Sequence, residues 1–319
     1  MACSAGLAAP LAALLFAWQP DPAMLAPLYK QALAEREQRL GPGHPQVARS
    51  AADLGLFLRN HGDRAAAAPY LRRALAIDEA ALGADSAVVA EDLENLASVL
   101  PAAEALPLHR RAAGHKDPGI AARNLARLAS FEQARGHRDE ALRLYRQALI
   151  KEEAASGADH ARIGVRLNDV ALLLEPEQAE PLFRRALAIQ EKTLGPHHPE
   201  VAATLNNLAN VLLATGRVAQ AEPLARRALA MLDEALGSRH PRVATAASNL
   251  ADTLRAKKDY ASARRYYERA LAIDEQAYGS SHAEVAVDLE NLAGLLEEMG
   301  RAQEARLLRR RAAAIRAGR

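Results

Sequence analysis

One polar position recurs along this chain at nearly regular intervals: Asp53, Asn95, Arg127, Asp169, Asn207, Asn249 and Asn291. A carboxamide carries both a donor and an acceptor, so a row of asparagines can pair with an extended peptide backbone whatever its side chains are. Asparagine is a poor helix former, and its repetition within helical stretches needs a reason. Two other reasons stand beside peptide binding: the amide ties one helix to its neighbour, or it simply faces water. Around this row, Arg49, Arg123 and Arg127 could receive acidic side chains in the earlier half, whereas Asn206, Asn210, Thr245, Ser248 and Asp252 make the later half polar and nearly neutral. A protein or peptide partner with an acidic segment is therefore the expectation. The bland alternative is that these arginines lie over apolar surface with their heads in water.

Other chemistry is harder to find. His44, His197-His198, His240 and His282 fall in equivalent loops one period apart, so they cannot converge on a metal, and three of them precede proline at a helix boundary. No P-loop, His-Glu-x-x-His, Gly-x-Ser-x-Gly or dinucleotide glycine pattern occurs, so neither an enzyme nor a cofactor is expected. The single cysteine, Cys3, excludes an internal disulfide and a cysteine metal cluster. With 41 basic against 39 acidic residues the net charge is +2, which argues against nucleic acid as a partner. An arginine ladder (Arg73, Arg111, Arg185, Arg227, Arg269, Arg311) could follow phosphates, but Glu79, Glu191, Asp233 and Glu275 recur beside it without interleaved aromatics. It reads as a solvated face with local ion pairs, and Arg309-Arg310-Arg311 as a polar end cap.

The elements that must position these residues repeat with a period of 42, clearest in Gly195 to Ala202 and Gly237 to Ala244, with looser copies from Gly41, Gly83, Gly157 and Gly279. In one unit Pro199 suits the first helical position, and Val201, Leu205, Leu208 and Leu212 form an apolar stripe on a first helix, A. Gly216-Arg217 breaks it, and Ala221, Leu224, Ala228, Leu229 and Leu232 line a second helix, B. Such hairpins bury their apolar faces only by stacking. Alanine fills two columns on helix B: Ala32, Ala74, Ala112, Ala148, Ala186, Ala228, Ala270 and Ala312, and Ala67, Ala141, Ala179, Ala221, Ala263 and Ala305. Two turns are shortened, at Leu100-Pro101-Ala102 and Leu174-Glu175-Pro176, and the loop from Gly114 to Pro118 is abbreviated.

The small residues at these helix positions resemble the tetratricopeptide repeat. The longer period, the Gly-x-x-His-Pro loop, Leu205-Asn206-Asn207-Leu208-Ala209 and Ala179-Glu180-Pro181-Leu182-Phe183-Arg184-Arg185-Ala186-Leu187 resemble its kinesin-light-chain-like subclass. The resemblance implies an all-α, right-handed superhelical solenoid of about seven or eight antiparallel helix pairs over residues 22 to 317, as a single domain. It further implies that helix A lines a concave groove, whose asparagines bind the backbone of an extended peptide. It does not extend to motor transport, because no heptad coiled coil is present. The function expected is a non-catalytic interaction scaffold; the alternative is a structural, self-associating array. Abundant alanine and arginine also resemble a bacterial coding bias.

Residues 1 to 21 allow two readings. Ala5 to Trp18 is apolar and uncharged, as in a secretory signal peptide cleaved after Ala17, which would place the mature chain in the periplasm or envelope. Yet no Lys or Arg precedes Lys30, and one period back from Leu54 and Leu58 lie Ala12 and Phe16, as in a first capping helix of a cytoplasmic protein. The segment is too short to span a membrane.

Overall fold

The computed structural model describes residues 22–318, and among them every regular element is an α-helix. The helices are α1 (Pro22–Leu40), α2 (Pro45–Asn60), α3 (Arg64–Leu82), α4 (Ala87–Ala97), α5 (Ala102–Ala113), α6 (Pro118–Ala134), α7 (Arg138–Ser156) and α8 (Ala161–Ala171). They continue as α9 (Pro176–Leu194), α10 (Pro199–Ala214), α11 (Val218–Leu236), α12 (Pro241–Ala256), α13 (Tyr260–Tyr278), α14 (Ala283–Glu298) and α15 (Ala302–Arg316). Even-numbered helices are the A helices and odd-numbered ones the B helices. Within each of two compact units A packs on the B of its repeat (α2 on α3, α10 on α11), and B packs on the next A (α3 on α4, α11 on α12). The helices fall into two compact units, divided between Arg135 and Gly136: one holds α1 to α6, the other α7 to α15. The N-terminal segment on which the signal-peptide and first-helix readings rest, residues 1 to 21, lies outside the described residues.

The period is written at the helix ends. His44, His160, His198, His240 and His282 are N-caps, each accepting through Nδ1 the backbone N–H two residues on, at 3.1 to 3.2 Å. The accepting Nδ1 puts the ring proton on Nε2 and satisfies one of the orphan amides of a helix start. His44, His198, His240 and His282, which the sequence places at the boundary, are thus separate caps on different repeats, and His160 adds a fifth, while Ser86 and Asp117 cap α4 and α6. Helix B ends at glycine, as at Gly195 with φ +88°, which an L side chain rarely adopts. In the A-to-B turn Gly216 and Gly300 also have positive φ, and Lys258 stands in the same place with φ 67°.

Both alanine columns lie in the core: Ala74, Ala148, Ala186, Ala228, Ala270 and Ala312 are fully buried, as are Ala67, Ala141, Ala221, Ala263 and Ala305. Ala32, first of its column, is exposed on α1, and Leu33 is buried beside it. The two shortened turns prove to be shortened helices. α4 and α8 have 11 residues where α2, α10, α12 and α14 have 16, so helix A loses its last turn and the turn residues follow directly. The arginine ladder is ion-paired throughout, and each partner sits on the preceding helix B: Arg73 with Glu37, Arg111 with Glu79, Arg185 with Glu153, Arg227 with Glu191, Arg269 with Asp233 and Arg311 with Glu275. The pairs expected from the sequence are therefore stitches between repeats.

Candidate peptide groove

In the first unit Asp53 is exposed on α2 and Asn95 half-buried on α4, and both line one pocket of about 400 Å³. Arg49 lines the same pocket and makes no ion pair among the described residues. Arg127 is exposed on α6, beside a second pocket of about 320 Å³. Arg123 is not free for an acidic partner, because its guanidinium lies 3.2 Å from Glu94. That carboxylate also accepts from the amide of Asn124 at 2.8 Å, and Asn124 Oδ1 in turn accepts from His109 Nδ1 at 2.8 Å. Burial, first of all, pushes the His109 pKa down.

In the second unit Asn207 is half-buried on α10 and Asn210 exposed one turn on, and both line a pocket of about 200 Å³. Neither amide has a hydrogen-bond partner among the described residues. Asn206, its neighbour in sequence, points inward and is 7% exposed with Oδ1 unpartnered, so it is not offered to a partner from this face. Asp169 on α8 holds Arg166 at 2.6 Å, and burial raises its pKa despite that cation. Asn249 is half-buried on α12, while Asn291 on α14 donates to Ser248 Oγ at 3.4 Å and so ties two A helices together. Asp252 accepts the hydroxyl of the fully buried Tyr267. The recurring position thus gives open amides at Asn207 and a helix tie at Asn291.

The 320 Å³ and 200 Å³ pockets are equivalent, one in each unit. Each opens where a short helix A (α4 or α8) omits its last turn, between the start of the following helix B and the end of the next helix A. Position by position, His109 answers to Phe183, Arg127 to Asn207, Ser130 to Asn210 and Phe131 to Val211. The first pocket is cationic and aromatic; the second presents two amides above an apolar floor that includes Leu172, itself 55% exposed.

A set of buried polar groups escapes the sequence reading. Where helix B meets the next helix A, two positions fourteen residues apart face each other. Gln190 and Thr204 fill them with a hydrogen bond of 2.6 Å, and Asn168 donates to the same hydroxyl at 2.7 Å. Arg36 and Ser50 hydrogen-bond there, and Leu232 and Ala246 fill the place with apolar groups. Asp78 faces Asp92, and Asp274 faces Asp288; all four are buried, and each pair is joined side chain to side chain. Burial first, then the partner carboxylate, pushes Asp92 and Asp288 up to about 7. The signal was present as polar residues at a position that is apolar in another repeat.

Models of the tetratricopeptide repeat match residues 7–80, 173–234, 200–276 and 242–317, and a second such model matches residues 125–162. The chain belongs to the tetratricopeptide repeat family. Among solved structures this tetratricopeptide protein is similar to BtubC (BKLC) from P. vanneervenii, with 26% identity and a TM-score of 0.56 over 71% of this chain and 91% of that one. It is likewise similar to a Podosopora anserina protein described by kinesin-light-chain, nearly identical TPR-like repeats, with 26% identity and a TM-score of 0.52 over 64% of this chain and 98% of that one. A Rap protein complexed with Competence and Sporulation Factor shares the fold at 15% identity, with a TM-score of 0.54 over 91% of this chain and 77% of that one. No curated protein matches the chain significantly. The kinesin-light-chain-like character and the all-α helical-repeat solenoid read from the sequence are both confirmed. Among the described residues no helix is long and apolar enough to cross a membrane.

Proposed function

We propose that this chain is a non-catalytic scaffold whose A helices hold an extended segment of a partner protein. The observation that carries this reading is the pocket at Asn207 and Asn210, where two unpartnered amides stand over an apolar floor beside Phe183 and Leu172. Amides without internal partners keep both donor and acceptor for a peptide unit, and the apolar floor gives an alternate side chain somewhere to go. Partner choice then rests on what lines each pocket, since the backbone contacts are indifferent to sequence.

Peptides selected on the wild-type chain from a random displayed library supply the test, with affinities read by fluorescence anisotropy. Asn207→Ala combined with Asn249→Ala should weaken the selected peptides at least tenfold, on the order of 1.4 kcal/mol. Peptides that bind the double variant as tightly as the wild type would overturn the groove reading.

A further inference from the structure

The 400 Å³ pocket of the first unit has a composition that the arginine-based expectation of an acidic ligand does not match. Four carboxylates line it: Asp53 from α2, Asp78 from α3, and Glu91 and Asp92 from α4. The single cation on its wall is Arg49, and neither Asp53 nor Glu91 is ion-paired among the described residues. Asp92 is 5% exposed, lines the pocket, and leaves Oδ2 buried without a hydrogen-bond donor. A buried carboxylate oxygen with no donor is costly, and a cation entering the pocket would relieve it.

The chain shows how it treats a buried acid at this joint elsewhere. In the second unit Glu152 is fully buried on α7, and Arg162 at the start of α8 reaches to 3.8 Å from it. The residue of α4 in the place of Arg162 is Val88, which lines the pocket and is 45% exposed. The α3–α4 joint therefore keeps its buried acids with an aliphatic side chain in the place where the α7–α8 joint supplies its own guanidinium. Leu56, Leu82 and Val88 give the pocket an aliphatic wall leading toward the carboxylates. A long basic side chain matches both parts, with methylenes along apolar surface and a charged head beyond them.

We infer that the pocket between α2, α3 and α4 takes a lysine or arginine side chain of the bound peptide, with Asp92 and Asp78 receiving its head and Leu56, Leu82 and Val88 its stem. This rests on the A helices being the peptide-binding face and gives that face a basic residue in the first unit. Specificity here comes from buried carboxylates that no basic side chain among the described residues neutralises.

The test uses the full chain, labelled with ¹⁵N, and acetylated, amidated pentapeptides Ala-Ala-X-Ala-Ala in which X is lysine, arginine, norleucine or glutamate. The lysine and arginine peptides should shift the amides of Asp53, Leu82 and Asn95, with a Kd at least tenfold below that of the norleucine peptide. Asp92→Asn should abolish that preference, and Asp288→Asn, which alters the equivalent pair in the other unit, should change it less than twofold. Val88→Arg provides a variant that keeps every carboxylate: its own guanidinium should occupy the site and weaken the lysine peptide at least tenfold. Equal binding of norleucine or glutamate, no shift at these amides, or indifference to Asp92→Asn and Val88→Arg would overturn the inference. Binding of n-butylammonium as tight as that of the lysine peptide would overturn its assignment to a peptide side chain. Shifts at Asn207 with none at Asn95 would sink this pocket alone. Shifts at Asn95, together with selected peptides indifferent to the Asn207 and Asn249 changes, would sink the groove reading alone.

Discussion

The joint between α9 and α10 and the joint between α13 and α14 occupy the same place in two repeats separated by one other, and are built from opposite chemistry. At the first, Gln190, Thr204 and Asn168 supply both donors and acceptors, and two hydrogen bonds of 2.6 and 2.7 Å link three helices. At the second, Asp274 and Asp288 bring only acceptors unless one of them keeps a proton, and Asp274 Oδ1 and Asp288 Oδ2 are buried without partners. The difference teaches that the helical framework tolerates either solution, because the alanine columns and the capped ends are the same on both sides. What changes is sensitivity to solution conditions. The neutral joint holds at any pH, whereas the acid joint holds best with its proton.

The largest expected effect breaks the comparison by giving the acid joint a permanent donor. Asp288 titrates near 7 in the folded chain, raised by burial and then by Asp274, whereas an unfolded aspartate titrates at about 3.9. A raised folded pKa means that the joint's contribution is fully present below about pH 4, falls as the pH rises toward 7, and is constant above. Asp288→Asn replaces the protonated acid by an amide that can donate to Asp274 at every pH. At pH 8 it should stabilise the chain by about 2–3 kcal/mol, and make the stability profile between pH 5 and 8 shallower, leaving the slope that the Asp78–Asp92 pair contributes. Urea unfolding across that range checks it, and a profile as steep as that of the wild type would refute the shared proton.

The next effect attacks the neutral side. Thr204→Val keeps the shape but leaves Gln190 Oε1 without its donor and the Asn168 amide with Gly164 O alone, and should cost about 1–3 kcal/mol without adding pH dependence. The smallest effect sharpens the contrast by testing what the joints share. His198 caps α10 and His282 caps α14 with the same geometry. His198→Ala and His282→Ala should therefore cost about 1 kcal/mol each, equal within error. Unequal losses would mean that the caps and the joint chemistry are coupled.

Much of the framework was legible because it is local. A proline after histidine, a glycine forty-two residues from its copy and an alanine in a fixed column each report on their own helix. The joints were not legible, because Asp92 is defined by Asp78 on a different repeat, and each alone looks like a solvated helix residue. Asn206 and Asn207 show the same limit: adjacent residues flanking the Leu205–Leu208 stripe differ by about a quarter turn, and only packing decides which one is buried. The shortened repeats were visible as missing residues, but whether the turn or the helix lost them depended on which helix end the next repeat could still cover.

Those missing residues have a consequence for how an array of near-copies acquires individuality. Substitution changes the lining of a surface that already exists, whereas the missing turn of α4 and of α8 leaves a concavity where that turn would lie. A chain of this kind can thus write an address by deletion first and then edit its letters, as His109 and Arg127 against Phe183 and Asn207 illustrate. Restoring the omitted turn would erase the address without touching any residue that lines it.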